Sequence, residues 1–80
     1  MRKLAVIKNV SFGCNEKGYV SLIFHTYISE CKAAMQMLNV DEAVKLIKES
    51  GVSDVSNLEN KHCWVEEEGN LIKYEEFADV

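Results

Sequence analysis

The segment Met35–Val52 constrains the fold most, because it describes one helix with both ends marked. Asn39 is suited to be the N-cap and Glu42 follows three residues later, which is the spacing of a capping box. Gly51 is typical of the left-handed residue that ends a helix. The pattern therefore predicts a helix from about Val40 to Ser50. We expect its buried stripe to consist of Val40, Ala43, Val44 and Ile47, with Leu46 at the edge.

Alternating apolar and polar residues predict strands on both sides of this helix. The predicted strands are residues 4–12, Tyr19–Ile28 and Ala33–Leu38 before the helix, and His62–Glu67 and Leu71–Phe77 after it. The third strand has an alternative, because the residues of Ser29–Leu38 also have good helix propensity. The predicted fold is α+β, a small antiparallel sheet of about five strands with one helix in the order β-β-β-α-β-β. Residues 1–80 form a single domain.

Local signals add detail to this prediction. The alternation of the first strand slips near Lys8 and Asn9, which indicates a bulge. The stretch Asn15–Gly18 predicts a hairpin turn, in which Gly18 takes a positive φ. Ser53–Leu58 predicts a short helical turn capped by Ser53.

The size of the chain makes a partner subunit plausible on energetic grounds. A chain of 80 residues buries only ~60% of its unfolded surface, so its core is marginal without a disulfide, a metal or an oligomer. The apolar run Leu4–Ile7 is too short for a signal-peptide core, and no run approaches the ~20 residues that span a bilayer. We therefore expect a cytoplasmic protein without membrane association, whose Cys14, Cys31 and Cys63 are reduced.

Charge is unevenly distributed along the chain. Residues 1–53 carry seven Lys or Arg and five Asp or Glu, whereas residues 54–80 carry two Lys and eight Asp or Glu. The net charge of −4 without a basic stripe argues against direct binding of nucleic acid. The run Glu66, Glu67 and Glu68 is a candidate surface for a basic partner, and a solubilising face is the alternative.

No residue pattern predicts catalysis, a metal site or a cofactor. His62 and Cys63 are the one close pair of zinc-ligand types, and adjacent strand residues point to opposite faces. The same alternation separates them as a base and a nucleophile. The four glycines are isolated and form no phosphate loop. We expect a protein that is not an enzyme and that binds no metal and no cofactor.

The strongest functional signal is the sheet face that the helix leaves uncovered. A helix of eleven residues is ~16 Å long and shields one face of a five-stranded sheet. The other face would expose Tyr19, Ile23, His25 and Tyr27, with Trp64, Ile7 or Tyr74 as further members. Exposed apolar patches with aromatic residues mark interfaces, so we expect a homodimer through this face. The alternative is a strongly curled sheet with scattered surface aromatics.

The stretch Leu46–Phe77 resembles small proteins of about this length that are predicted in bacteriophage and prophage genomes. The shared pattern is a helix ending in Gly51-Val52, a turn with Leu58, a strand with Cys63 and Val65, and a closing aromatic strand. Asn60 stands where that pattern has glycine, and Asn tolerates the same left-handed conformation.

This resemblance implies an accessory protein that binds and inhibits or modulates a host protein, such as a defence system, in the host cytoplasm. Two alternatives are a small-ligand binder or sponge for nucleotide-type molecules, acting as an oligomer, and a minor structural component of the phage particle.

Overall fold

The computed structural model describes residues 1–14 and 16–80 and has the predicted order of elements. The five strands and the helix are β1 (Arg2–Cys14), β2 (Val20–Ser29), β3 (Lys32–Leu38), α1 (Val40–Ser50), β4 (His62–Glu68) and β5 (Leu71–Ala78). A 3-10 turn, Val55–Leu58, lies between α1 and β4. The strand prediction for residues 33–38 is confirmed, and the helical alternative there is wrong.

All pairs of neighbouring strands are antiparallel, in the spatial order β3-β2-β1-β4-β5. The central β1 contains the predicted bulge: its register with β2 shifts between Lys8 and Ser11, and Asn9 has a φ of 56°. The Glu59 carboxylate accepts hydrogen bonds from the backbone N–H groups of Asn9 (3.1 Å) and Val10 (3.3 Å). The Glu59 side chain thus accepts hydrogen bonds from two backbone N–H groups that the bulge removes from pairing between strands.

The sheet curls until its two edge strands, β3 and β5, approach each other, and Gln36 joins them. The Gln36 Nε2 donates to the carbonyl oxygen of Ile72 (2.9 Å) and to Thr26 Oγ1 (3.1 Å). The Tyr74 backbone N–H donates to Gln36 Oε1 at 3.0 Å. Because Gln36 is buried, one side-chain amide takes the place of a backbone pairing between the edges.

The core fills the concave side of the curled sheet. The buried apolar side chains are Ala5, Ile7, Leu22, Phe24, Leu38, Ala43, Leu46, Leu58, Cys63, Val65, Ile72 and Ala78. Tyr74 packs edge-on against Phe24, with ring centroids 5.6 Å apart. Ile7 and Tyr74 therefore belong to the concave side. Their assignment to the uncovered face was wrong because the curl of the sheet is not visible as residue periodicity.

The helix has the predicted ends and a different buried face. Glu42 N donates to Asn39 Oδ1 at 2.8 Å, Asn39 N donates to the Glu42 carboxylate at 3.2 Å, and Gly51 has a φ of 71°. The buried helix residues are Ala43 and Leu46, whereas Val40 and Val44 are exposed. The predicted stripe was thus rotated by about one residue, because α1 packs across a curved surface and not a flat one.

The turns agree in part with the sequence. Gly18 has a φ of 86° and Asn60 a φ of 69°, as their roles in turns require. The hairpin turn was predicted to begin at Asn15, which lies outside the described residues. The cap of the 3-10 turn is Asp54 and not Ser53: the Asp54 Oδ1 accepts from Ser56 N at 3.0 Å.

Replacement of Gln36 by the apolar Met tests the bridge between the edge strands. Gln36→Met leaves the Ile72 carbonyl and the Tyr74 N–H without the partners that they have now. We expect the free energy of unfolding to fall by about 3 kcal/mol, measured by urea denaturation. The control is Met35→Gln on the same strand, where the side chain is 60% exposed, with an expected change within about 0.5 kcal/mol. Equal stability of the two variants would contradict the bridge.

Candidate functional site

The convex face of the sheet carries an apolar band that crosses four strands. Directly opposite residues of antiparallel strands share a face, so the register defines this band. It runs from Met37 beside Ile23 and Met35 beside His25, through Tyr27 beside Val6, to Leu4 beside Trp64. We call this set of eight residues the convex band. The predicted members Ile23, His25, Tyr27 and Trp64 lie on one face, with β1 between the first three and the last.

The sequence analysis missed four members of the convex band, which are Leu4, Val6, Met35 and Met37. Met35 and Met37 are each 60% exposed and alternate with the inward Ala34, Gln36 and Leu38. The period of two was present in the sequence, but helix propensity over the same residues obscured it. Methionine is flexible and polarisable, which suits it to surfaces that adapt to a partner.

Two hollows adjoin the convex band near the end of β1 and the start of β2. The larger has a volume of about 370 Å³ and is lined by Tyr19, Val20, Ser21, Met37, Asn39 and Glu42. The smaller has a volume of about 200 Å³ and is lined by Ser11, Phe12, Gly13, Cys14, Ser21 and Ile23. Ser21 lines both hollows. The small residues Ser11, Gly13 and Ser21 leave space for these hollows. Tyr19 lines the larger hollow and is 68% exposed.

Polar side chains contact the convex band at Trp64, at one end, and at His25, in the middle. The Arg2 guanidinium lies over the Trp64 ring, 4.9 Å from its centroid, and also pairs with Glu75 (3.5 Å) and Glu76. Trp64 is therefore half-buried beneath a cation that β5 holds in place. At His25, Nδ1 lies 3.5 Å from the Asn9 Nδ2, so the bulge residue contacts the middle of the band.

The acidic run does not present its three carboxylates together. The N-terminal amino group of Met1 pairs with Glu66 (2.8 Å), and Lys32 pairs with Glu67. The hydrogen bond from Lys32 lowers the pKa of the Glu67 carboxyl, against a smaller opposing effect of burial. Glu68 is exposed. Since two of the three charges are balanced within the chain, the convex band is the better-supported surface for a partner.

No family model, curated protein or solved structure matches this chain significantly. The site is therefore interpreted from its own geometry. Residues 1–14 and 16–80 hold no group of three or more His, Cys, Asp or Glu side chains placed to bind a metal ion together. Within the same residues, no helix has the length and apolar character that crossing a membrane requires.

The three cysteines have two different environments. Cys14 and Cys31 are exposed, whereas Cys63 is fully buried. Burial raises the pKa of the Cys63 thiol to about 12, so this group stays protonated near neutral pH. The thiolate is the reactive form of cysteine, and Cys63 is therefore poorly suited to act as a nucleophile.

Thiol titration tests this difference between the cysteines. We expect a thiol reagent at pH 8 to modify Cys14 and Cys31 in the native protein and to reach Cys63 only after denaturation. Raising the pH to 10 should leave Cys63 unreactive, because its pKa of about 12 lies higher still. The Cys63→Ala variant identifies the slow site by mass spectrometry. Rapid modification of all three thiols in the folded protein would contradict the burial of Cys63.

Proposed function

We propose that this protein is not an enzyme and that it inhibits or modulates a host protein by binding it through the convex band. The observation that carries the proposal is the continuity of the band over four strands, with two exposed methionines and two hollows beside it. The resemblance of Leu46–Phe77 to phage and prophage proteins supports an accessory role in the host cytoplasm.

The composition of the band favours a protein over other partners. It combines Met, Tyr and Trp with aliphatic side chains, and these aromatic residues and Met are enriched at the centres of protein interfaces. The Met side chains are flexible and can adapt to a partner, and the hollows can accept a projecting side chain. A membrane surface or a nucleic acid would favour a basic face, and here Arg2 is already paired with Glu75 and Glu76.

Substitution at the centre of the band tests this proposal. We expect Tyr27→Asp and Met35→Asp each to weaken binding of a purified host partner by about tenfold or more, measured by isothermal titration calorimetry. Both side chains lie on the convex face, outside the buried core. The candidate partner is the host protein retained by the immobilised wild-type chain.

The matched control is Val44→Asp on the exposed side of α1, which should bind like the wild type. Glu68→Lys tests the acidic run in the same assay. Loss of binding in Glu68→Lys with full binding in Tyr27→Asp and Met35→Asp would move the partner site to the acidic run and contradict the proposal.

The 370 Å³ hollow favours a second candidate function, the binding of a small molecule. Its volume lies within the range of ligand pockets, and Tyr19 offers an aromatic surface for a planar group. We expect such a ligand to bind the wild type and to lose about tenfold in affinity in Tyr19→Ala, with Tyr27→Ala as the control. Calorimetry with a panel of nucleotides measures this, and an absence of heat for every nucleotide would contradict a nucleotide-type ligand.

A further inference from the structure

One half of the central strand has a partner on one side only. From Arg2 to Val6, β1 lies between β2 and β4, and Ile7 is hydrogen-bonded to Asn60 and Lys61. After the bulge, Ser11–Cys14 pairs with β2, and no described strand lies on its other side. This stretch, Ser11–Cys14, which we call the open edge, is the C-terminal end of β1.

The direction of the backbone groups at the open edge follows from the register. The Ile7 N–H donates to Lys61 O, and Ile7 O accepts from Asn60 N, both at 2.8 Å, so the Ile7 groups point toward β4. Hydrogen-bonded and non-hydrogen-bonded residue pairs alternate along an antiparallel pair of strands. Because Ile7 and Thr26 form a non-hydrogen-bonded pair, the β2 residues that are hydrogen-bonded to β1 are Tyr27, His25 and Ile23. Ser11 is opposite Ile23, so its groups point toward β2. The N–H and C=O of the next residue, Phe12, therefore point out of the sheet, toward the open edge.

The open edge has none of the usual protection against pairing with another chain. Exposed edges are generally blocked by charged residues, by proline or by a covering element. The sequence Ser-Phe-Gly-Cys of residues 11–14 has no charge and no proline. The two outer edges of the sheet, β3 and β5, differ from the open edge because the Gln36 side chain links them through hydrogen bonds.

The apolar side chains next to the open edge are also uncovered. Phe12 lies opposite Leu22 on the concave side, beyond the reach of α1, and is 43% exposed. Val20, on the same side, is 41% exposed. The whole chain exposes 5313 Å². A compact monomer of its mass of 9.1 kDa exposes about 4,900 Å², so this chain exposes slightly more surface than a compact monomer.

We propose that a second copy of this chain binds at the open edge, with its own Phe12 antiparallel and directly opposite Phe12. A residue whose N–H and C=O both point toward its own copy across a two-fold axis can exchange both backbone hydrogen bonds with it, and the outward-pointing groups of Phe12 are suited to this pairing. The uncharged edge brings no like charges together, and the two Phe12 rings become cross-strand neighbours. The sequence predicts a homodimer through the convex face, whereas we propose the open edge as the dimer interface.

This arrangement leaves the convex band free. Pairing at Phe12 joins the sheets of two copies into one sheet with the strand order β3-β2-β1-β1-β2-β3 in its centre. The two convex faces then lie side by side, and a dimer would present two copies of the band to partners. The inference does not depend on which molecule the band binds.

Sedimentation velocity over a wide range of concentration tests the proposal. We expect the wild type to sediment as a dimer. Phe12→Lys places two ammonium groups opposite each other at the two-fold axis and should raise the dimer dissociation constant by about a hundredfold. The matched control is Val44→Lys on α1, because Val44 has the same 43% exposure as Phe12, and it should remain dimeric.

A cross-link tests the register independently of any loss of association. In a chain with Cys14→Ser and Cys31→Ser, Phe12→Cys should form an intermolecular disulfide on mild oxidation, because opposite residues in a hydrogen-bonded pair have Cα atoms ~5.5 Å apart. Val44→Cys in the same background should remain uncross-linked. A monomeric wild type would overturn the proposal. A dimer that survives Phe12→Lys, or that dissociates in Ile23→Glu alone, would overturn it as well and would place the second copy on another surface.

Discussion

The side-chain amide of Gln36 is the interaction on which the shape of this protein depends. An open five-stranded sheet has two edges with unpaired backbone groups, and covering both sides of a flat sheet requires more than one helix. Gln36 provides a donor and an acceptor at the same place, between Ile72 O and Tyr74 N, and links the edge strands. Its Nε2 also bonds Thr26 Oγ1, which in turn donates to Ala34 O at 3.2 Å. The bridge is thus anchored in β2 as well as in β5.

The curl that the Gln36 bridge stabilises explains why one helix is enough to complete the core. Closure brings the concave sides of β2 and β5 together around Phe24 and Tyr74, so much of the core is formed by strands that pack on strands. The helix α1 then contributes only Ala43 and Leu46 as fully buried residues. The same curl turns the convex face outward, and no described element covers it. The apolar residues that the sequence places on that face therefore stay partly exposed.

The sequence predicted the order of elements well because each signal was local. The capping box at Asn39, the terminator Gly51 and the period of two in β2 are all decided within a few residues, and each is present in the structure. The curl depends instead on contacts such as Gln36 with Ile72, which are distant in sequence. For that reason Ile7 and Tyr74 were placed on the wrong face. Met35 and Met37 were missed for a different reason, since propensity and periodicity disagreed over β3.

The bulge connects the closed part of the molecule to its open part. Up to Ile7, β1 is enclosed by neighbours on both sides, and at Asn9 and Val10 the Glu59 carboxylate takes the place of a strand. Beyond that point no described strand lies on this side of β1, because β4 begins at His62 and runs toward the other end of β1. The 3-10 turn Val55–Leu58 before β4 instead fills the core with Leu58, which leaves the last residues of β1 with a single neighbour. The segment before β4 thus contributes to the core, and the open edge is left without a described strand beside it.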